Sequence, residues 1–183
     1  MRVISGEAAL ESHDLVLTIG AFDGVHCGHQ ALLRALVQQA RRHGMLAAVL
    51  TFNPHPREVL QPGIPFRYLT TDAERAHLLE TIGIDLLILQ QFDRNLAATP
   101  AGEFVLWLCE QLHMRQLWTG PDFALGHDRQ GDVAELGRLA AELGFELTPE
   151  VAREVERRAR FSDAARTRLA SIEGKLFEAA GER

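Results

Sequence analysis

The stretch that most constrains this chain is residues 17–29, which read LTIGAFDGVHCGH. An apolar segment typical of a buried strand runs into a turn with three glycines within nine residues: Gly20, Gly24 and Gly28. Glycine permits positive φ angles and lets a ligand approach the main chain closely. A helix that begins after this turn offers free N–H groups and a positive dipole end, which favour phosphate. Because His26 and His29 can also donate hydrogen bonds to a phosphoryl group, the stretch predicts a nucleotide phosphate site.

Strand and helix patterns alternate along most of the chain. Mostly apolar segments typical of buried strands lie at residues 14–19, 46–52, 86–89, 116–119 and 145–148. Apolar spacing or capping-box spacing predicts helices over residues 30–43, 71–82, 100–112 and 132–144. Strands connected by helices form right-handed parallel units whose sheet is covered on both faces. We therefore expect residues 1–150 to form one three-layer α/β domain with a parallel sheet of about five strands.

Two long loops follow predicted strands. Residues 53–70 have little periodicity and contain four prolines, which predicts a shaped loop rather than a helix. A loop of this length in a compact domain is often functional. Residues 120–131 form the second loop. Because ligands bind at the carboxyl ends of strands in open α/β sheets, both loops and the glycine turn are expected to meet at one site.

The histidine motif resembles a known family signature. His26-Cys27-Gly28-His29 after a buried strand is similar to the signature of the nucleotidylyltransferase superfamily. The fuller string resembles the FMN adenylyltransferase domain of bacterial FAD synthetases, and so do residues 51–59, 92–104 and 120–133. This resemblance implies a Rossmann-like nucleotidylyltransferase fold. It also implies transfer of AMP from ATP to FMN, which gives FAD and pyrophosphate.

The resemblance also implies roles for individual residues. His26 and His29 would be catalytic and would donate hydrogen bonds to the ATP phosphates. The expected ATP-binding residues are Gly20, Phe22, Asp23, Gly24, His26, Gly28, His29, Ser162 and Arg166. The expected flavin-binding residues are Asn53, Pro54, His55, Pro56, Asp122 and Phe123. Mg²⁺ would bridge phosphate oxygens and needs few protein ligands, so no metal site built by the protein is expected.

Residues 151–183 differ in composition from the rest. Six arginines lie between residues 151 and 168, and a final helix is expected to run to about residue 180. We expect this arginine-rich helical tail to pack on the same domain. Its mixed charges are typical of a solvated helical face with salt bridges. The alternative interpretation is that one or two of the arginines reach the triphosphate.

The tail also departs from the family pattern. A serine-serine-threonine run that holds nucleotide phosphates in the family corresponds here to residues 160–168. Ser162 matches the first serine, but Asp163 and Ala164 replace the next two positions. Since a carboxylate would repel a triphosphate, a flavin- or nucleotide-binding protein with impaired catalysis is an alternative hypothesis. A nucleotidylyltransferase with another acceptor is a third hypothesis, which the motifs at residues 53–56 and 122–123 disfavour.

The composition indicates which classes of binding partner to expect. A net charge of −6 argues against a nucleic-acid partner but not against a small phosphorylated ligand held by local groups. No apolar run approaches about 20 residues, so no membrane association is expected. Two cysteines and no signal-like N-terminus indicate a reducing cytoplasm. Because the chain ends at Arg183, where the bifunctional enzymes continue into a riboflavin kinase barrel, no kinase activity is expected.

Overall fold

The computed structural model describes residues 1–6, 13–65, 67–120 and 122–148. Within these residues, six strands form one sheet in the order β1-β4-β3-β2-β5-β6, and every pairing is parallel. The strands are β1 (Arg2–Ser5), β2 (Leu15–Ile19), β3 (Leu46–Asn53), β4 (Leu86–Gln91), β5 (Met114–Trp118) and β6 (Glu146–Thr148). The predicted α/β class and parallel sheet are confirmed. The sequence interpretation missed β1, a short and mostly exposed edge strand that pairs only with β4.

In the described part of the chain, six α-helices connect or follow these strands. They are α1 (Cys27–His43), α2 (Pro56–Leu60), α3 (Asp72–Ile82), α4 (Arg94–Ala97), α5 (Ala101–Gln111) and α6 (Val133–Leu143). The four predicted helices correspond to α1, α3, α5 and α6. α1 begins three residues earlier than predicted, directly after His26. It ends before Gly44, whose φ of 65° suits glycine.

The prediction that residues 53–70 contain no helix was wrong. α2 occupies part of this segment, with His55 as its N-cap and Pro56 as its first residue. Proline is well tolerated at the first helical position because its missing N–H would have no partner there and its φ is already helical. The other three prolines lie outside the helix. The proline count therefore obscured a short capped helix.

The core has two halves, one on each face of the sheet. Leu15, Leu17 and Ile19 point to the face covered by α5 and α6, whereas Val16 points to the face covered by α1. This alternation follows from the twofold side-chain period of a strand. Every residue of β2 is buried, which agrees with a central strand covered on both sides. The three layers are therefore as predicted, and the carboxyl ends of the strands share one edge.

Two further predictions concern the C-terminal tail and the membrane. The arginine-rich tail, including Ser162 and Arg166, lies outside the described residues. In the part of the chain that is described, no helix is long and apolar enough to cross a membrane.

The central position of β2 predicts a large stability cost for truncating its side chains. Leu17 is fully buried, so Leu17→Ala is expected to lower the free energy of unfolding by about 2–5 kcal/mol, measured by urea denaturation. Leu106→Ala is the matched control, because Leu106 is 40% exposed. Equal losses for the two variants would contradict this packing.

Candidate active site

A strained turn leads from β2 to α1. Phe22, Gly24 and Val25 have positive φ angles of 48°, 70° and 38°. A residue other than glycine in this region costs of order 1–3 kcal/mol, and such strain concentrates at functional sites. Phe22 and Val25 are both buried among the side chains of α1 and the sheet. Core packing therefore holds the turn in a conformation that an isolated chain would avoid.

A carboxylate clamp fixes the same turn from outside. The Asp23 clamp, as we call it, consists of Asp23 with Leu69 and Thr70. The two carboxylate oxygens accept hydrogen bonds from the amides of Leu69 (2.8 Å) and Thr70 (2.9 Å) and from the Thr70 hydroxyl (2.9 Å). The Gly24 amide donates to the Thr70 hydroxyl oxygen at 3.1 Å. These four bonds join two segments that lie more than 40 residues apart in sequence.

The clamp stabilises the ionised form of Asp23. Burial raises the pKa of this carboxyl group, but the hydrogen bonds from Leu69 and Thr70 lower it by more. The pKa of Asp23 therefore lies below its ordinary value. Since both carboxylate oxygens accept hydrogen bonds from Leu69 and Thr70, the Asp23 side chain holds the turn in its conformation.

His26 caps α1 through its side chain. Its Nδ1 accepts a hydrogen bond from the His29 amide at 3.2 Å, a role usually taken by Ser, Thr, Asp or Asn. An Nδ1 atom that accepts carries no proton, so the neutral ring is protonated at Nε2. The cap thus fixes the tautomer, and the exposed His26 ring keeps an Nε2–H donor.

His29 lies between two rings. It stacks on His26 with ring centroids 3.6 Å apart, and its centroid is 4.9 Å from that of Phe22. Burial and the neighbouring His26 lower the pKa of His29 to about 4, although Asp23 acts in the opposite direction. Its buried Nδ1 has no hydrogen-bond partner among the described residues. The ring is therefore neutral at pH 7 and can act as a hydrogen-bond donor to an arriving anion.

A cavity of about 960 Å³ borders the start of the glycine turn, and its wall is largely apolar but includes Arg94, Asp128 and Arg129. It lies at the carboxyl ends of β2, β3 and β4 and is closed by the loop after β5. Four aromatic side chains line it: Phe52, Phe92, Phe104 and Phe123. Phe52 and Phe92 meet edge to face with centroids 5.3 Å apart. Gly20 also lines the cavity, so the glycine turn borders it directly. A cavity of this size and character suits a planar aromatic ligand.

The first loop supplies His55 and Pro56 to this cavity. His55 caps α2, because its Nδ1 accepts from the Arg57 amide at 3.1 Å. Its own amide donates to Glu58 Oε1 (3.1 Å) and to the Tyr68 hydroxyl oxygen (3.0 Å). Burial holds the pKa of His55 below its ordinary value. The capped imidazole is therefore fixed as a neutral ring at the cavity wall.

The remaining flavin-side candidates are more scattered. Asn53 ends β3, is joined to Pro54 by a cis peptide bond and donates to Asp72 Oδ2 at 3.3 Å. Asp122 is exposed and lines a smaller adjoining cavity of about 410 Å³, which Phe123 shares. The Asp122 carbonyl accepts from Arg129 at 2.8 Å. The structure therefore brings His55, Pro56 and Phe123 together at the large cavity, with Asp122 beside it and Asn53 bonded to α3.

Sequence reasoning missed Arg75, which lies in α3 and is only 2% exposed. It contacts both Asp72 and the main chain of the glycine turn. No sequence pattern identifies it, since a charged residue on a helix is usually solvated. The partners of Asp23 were missed for a related reason, because sequence spacing does not reveal contacts between distant segments.

The cap provided by His26 can be tested on stability alone. Replacement of a good N-cap by alanine costs about 0.5–2 kcal/mol, so His26→Ala is expected to lower the free energy of unfolding in urea by that amount. His26→Asn is the matched variant, because asparagine caps helices well but has no imidazole. It should recover most of the loss. If both variants were equally destabilised, the capping role would be wrong.

The low pKa of His29 predicts a pH dependence of stability. The unfolded chain takes up a proton near pH 6.5 and the folded chain only near pH 4, so this group's contribution is complete above pH 6.5 and lost as pH falls to 4. His29→Ala removes that dependence. The stability difference between wild type and His29→Ala, measured in urea, should therefore shrink between pH 6.5 and 4. A constant difference would contradict the burial of a neutral His29.

Comparison with known proteins agrees with this geometry. Residues 9–163 match the FAD synthetase family. A bifunctional riboflavin kinase/FMN adenylyltransferase from Escherichia coli K12 is 37% identical over 134 residues, which are 73% of this chain and 43% of that protein. A putative bifunctional riboflavin kinase/FMN adenylyltransferase from Geobacillus thermodenitrificans is 37% identical over 138 residues, 75% of each chain.

A solved structure supports the fold. The crystal structure of a macrolide-efflux protein from Streptococcus pneumoniae superposes with a TM-score of 0.72 at 28% identity, covering 80% of this chain and 49% of that one. This chain spans less than half the length of the Escherichia coli relative. The match to the FAD synthetase family nevertheless covers most of the residues of this chain. The chain therefore belongs to the FAD synthetase family.

Proposed function

We propose that this chain transfers AMP from ATP to FMN, giving FAD and pyrophosphate. The observation that carries the proposal is that the glycine turn joins two features. It ends in two stacked histidines at the start of α1, and its first residues, Gly20 and Ala21, line a cavity with four phenylalanine side chains. A phosphate site directly beside a pocket for a planar ring is what joining a nucleotide to a flavin requires. The relatives' names, FMN adenylyltransferase, point to the same reaction.

The proposed chemistry is a single displacement at phosphorus. An oxygen of the FMN phosphate forms a bond to the α-phosphorus of ATP, and the bond from that phosphorus to the bridging oxygen of pyrophosphate breaks. Negative charge grows on the non-bridging and leaving oxygens. Such reactions are catalysed mainly by positioning and charge stabilisation. No covalent intermediate on the protein is needed.

In this mechanism the histidines act as hydrogen-bond donors. His26 would donate from Nε2–H, the tautomer set by its cap. His29 is neutral in the free protein, and the negative charge of a bound triphosphate would raise its pKa. The dipole of the 17-residue helix α1 adds positive potential at the same place. The main chain around the phosphates would be shaped by Gly20, Phe22, Gly24 and Gly28. Asp23 would hold this turn in place through the clamp.

The flavin ring would occupy the aromatic cavity. Phe123 and Phe52 offer apolar surface for the isoalloxazine ring, and His55 with Pro56 would form the wall nearest to α2. Asn53, Pro54 and Asp122 are proposed to act at the rim of this region. Ser162 and Arg166 are proposed ATP-binding residues on the strength of the resemblance alone.

Mg²⁺ is proposed to accompany ATP. Among the residues described, no group of three or more His, Cys, Asp or Glu side chains could hold a metal ion. Asp23 adjoins the histidines in sequence, but its oxygens are already engaged by the clamp. These residues offer Mg²⁺ no preformed cage. We expect it to arrive bound to the phosphate oxygens of the nucleotide.

The reaction can be tested by incubating the chain with ATP, FMN and Mg²⁺ and measuring FAD and pyrophosphate. Loss of one donor to the developing charge typically costs about 10²–10³-fold in rate, so His29→Ala should lower kcat by that factor. His43→Ala, at the opposite end of α1, should leave kcat unchanged.

Other outcomes would favour the competing hypotheses. Saturable binding of FMN or ATP without FAD formation would indicate a binding protein that lacks catalysis. Turnover only with CTP or with another acceptor would indicate a different nucleotidylyltransferase. Equal kcat values for wild type and His29→Ala would contradict the role assigned to His29.

A further inference from the structure

Arg75 is the largest fully buried side chain of the described residues. A guanidinium keeps its charge inside a protein and is costly to bury unless it is paired and hydrogen-bonded. Arg75 lies in the first turn of α3, immediately after the segment that forms the Asp23 clamp. A charge retained at this depth calls for an explanation in terms of its partners.

Those partners belong to both halves of the proposed site. Nη1 donates to the carbonyl oxygen of Ala21 at 3.0 Å, and Ala21 lies between Gly20 and Phe22 in the glycine turn. Nη2 pairs with Asp72 Oδ1. The other oxygen of Asp72 accepts from Asn53 at the end of β3, at 3.3 Å. One planar fork thereby connects the phosphate-side turn to the strand end on the flavin side.

The glycine turn and β3 are also joined directly, because the Gly20 amide donates to the Leu50 carbonyl oxygen at 3.1 Å. Thr51 also donates to the Ala21 carbonyl, but at 3.3 Å, which is longer than the bond from Arg75. Nε of Arg75 is buried and has no partner among the residues that the structure describes. The charge of Arg75 acts on both Asp23 and His55. The charge and the hydrogen bonds of Arg75 therefore act on the glycine turn and on the residues proposed for the flavin side.

We propose that Arg75 is a positioning residue that couples the two substrate subsites through Ala21 and the Asp72–Asn53 pair. A guanidinium fork is rigid, so a shift of the Ala21 carbonyl when ATP binds must be transmitted to Asp72 or break a buried bond. Fixing the turn with one ligand then preorganises the strand end for the other. Linkage requires that FMN tighten ATP binding by the same factor by which ATP tightens FMN binding. This inference rests on the proposed function for the identity of the two ligands.

Titration calorimetry with a non-hydrolysable ATP analogue and FMN tests the coupling. In the wild type, saturating analogue should tighten FMN binding by about 5-fold or more, within the usual range of coupling. Arg75→Lys keeps the charge but replaces the fork by one ammonium group, so the coupling factor should fall towards 1. Asp72→Asn should have the same effect and serves as the second variant if Arg75→Lys is unstable. The two variants should also lower kcat more than they change either KM.

The control is another arginine–aspartate pair. Arg41 donates to Asp85 at 2.6 and 2.9 Å near the amino end of β4, at the opposite edge of the sheet. Arg41→Lys should leave the coupling factor and kcat unchanged. A coupling factor in folded Arg75→Lys or Asp72→Asn equal to that of the wild type would overturn the inference, and so would a wild type without coupling.

The binding experiment separates this inference from the proposed function. If the wild type makes FAD but the coupling factor is unaffected by Arg75→Lys, the inference alone fails. If the wild type binds both ligands with a coupling that Arg75→Lys abolishes, yet makes no FAD, the inference stands and the proposed reaction fails.

Discussion

The candidate site depends most on the hydrogen bonds of the Asp23 clamp. A turn with positive φ at Phe22 and Val25 is energetically unfavourable by itself. It persists because Asp23 accepts hydrogen bonds from Leu69 and Thr70 and because the two strained side chains are buried in the core. The same segment, residues 69–75, then begins α3 and supplies Arg75. The long loop is therefore a brace for the glycine turn as well as a wall of the cavity.

Two of the candidate histidines are helix N-caps. His26 caps α1 and His55 caps α2, and in each case Nδ1 is the accepting atom. Capping fixes which nitrogen carries the proton and orients the ring relative to the helix. An aspartate would cap as well, but an ionised carboxylate has no hydrogen-bond donor. In the exposed His26, the cap thus sets the direction of the Nε2–H group.

The sequence predicted what depends on local pattern. The apolar runs of β2, β3 and β4 are visible because central parallel strands are buried on both faces. β1 was missed because four mostly exposed residues at a sheet edge carry no such run. α2 was missed because the four prolines within residues 53–70 suggested a loop. The residues brought together by the glycine turn were found by motif. Arg75 and the partners of Asp23 could not be found, because their importance comes from contacts across more than 40 residues.

An acidic chain for which two anionic substrates are proposed needs hydrogen-bond donors or positive potential at the site itself. Charges beyond about 8–10 Å are screened at physiological salt, so the net charge of −6 matters less than the groups beside the turn. Among the described residues, those groups include the neutral imidazole of His29 and the N-terminus of α1, while the buried cation Arg75 is paired with Asp72. Neutral donors stabilise charge that grows during phosphoryl transfer without holding the products as strongly as a cluster of cations would. In the proposed reaction, such a site would favour the transition state over the bound anions, which is the condition for turnover.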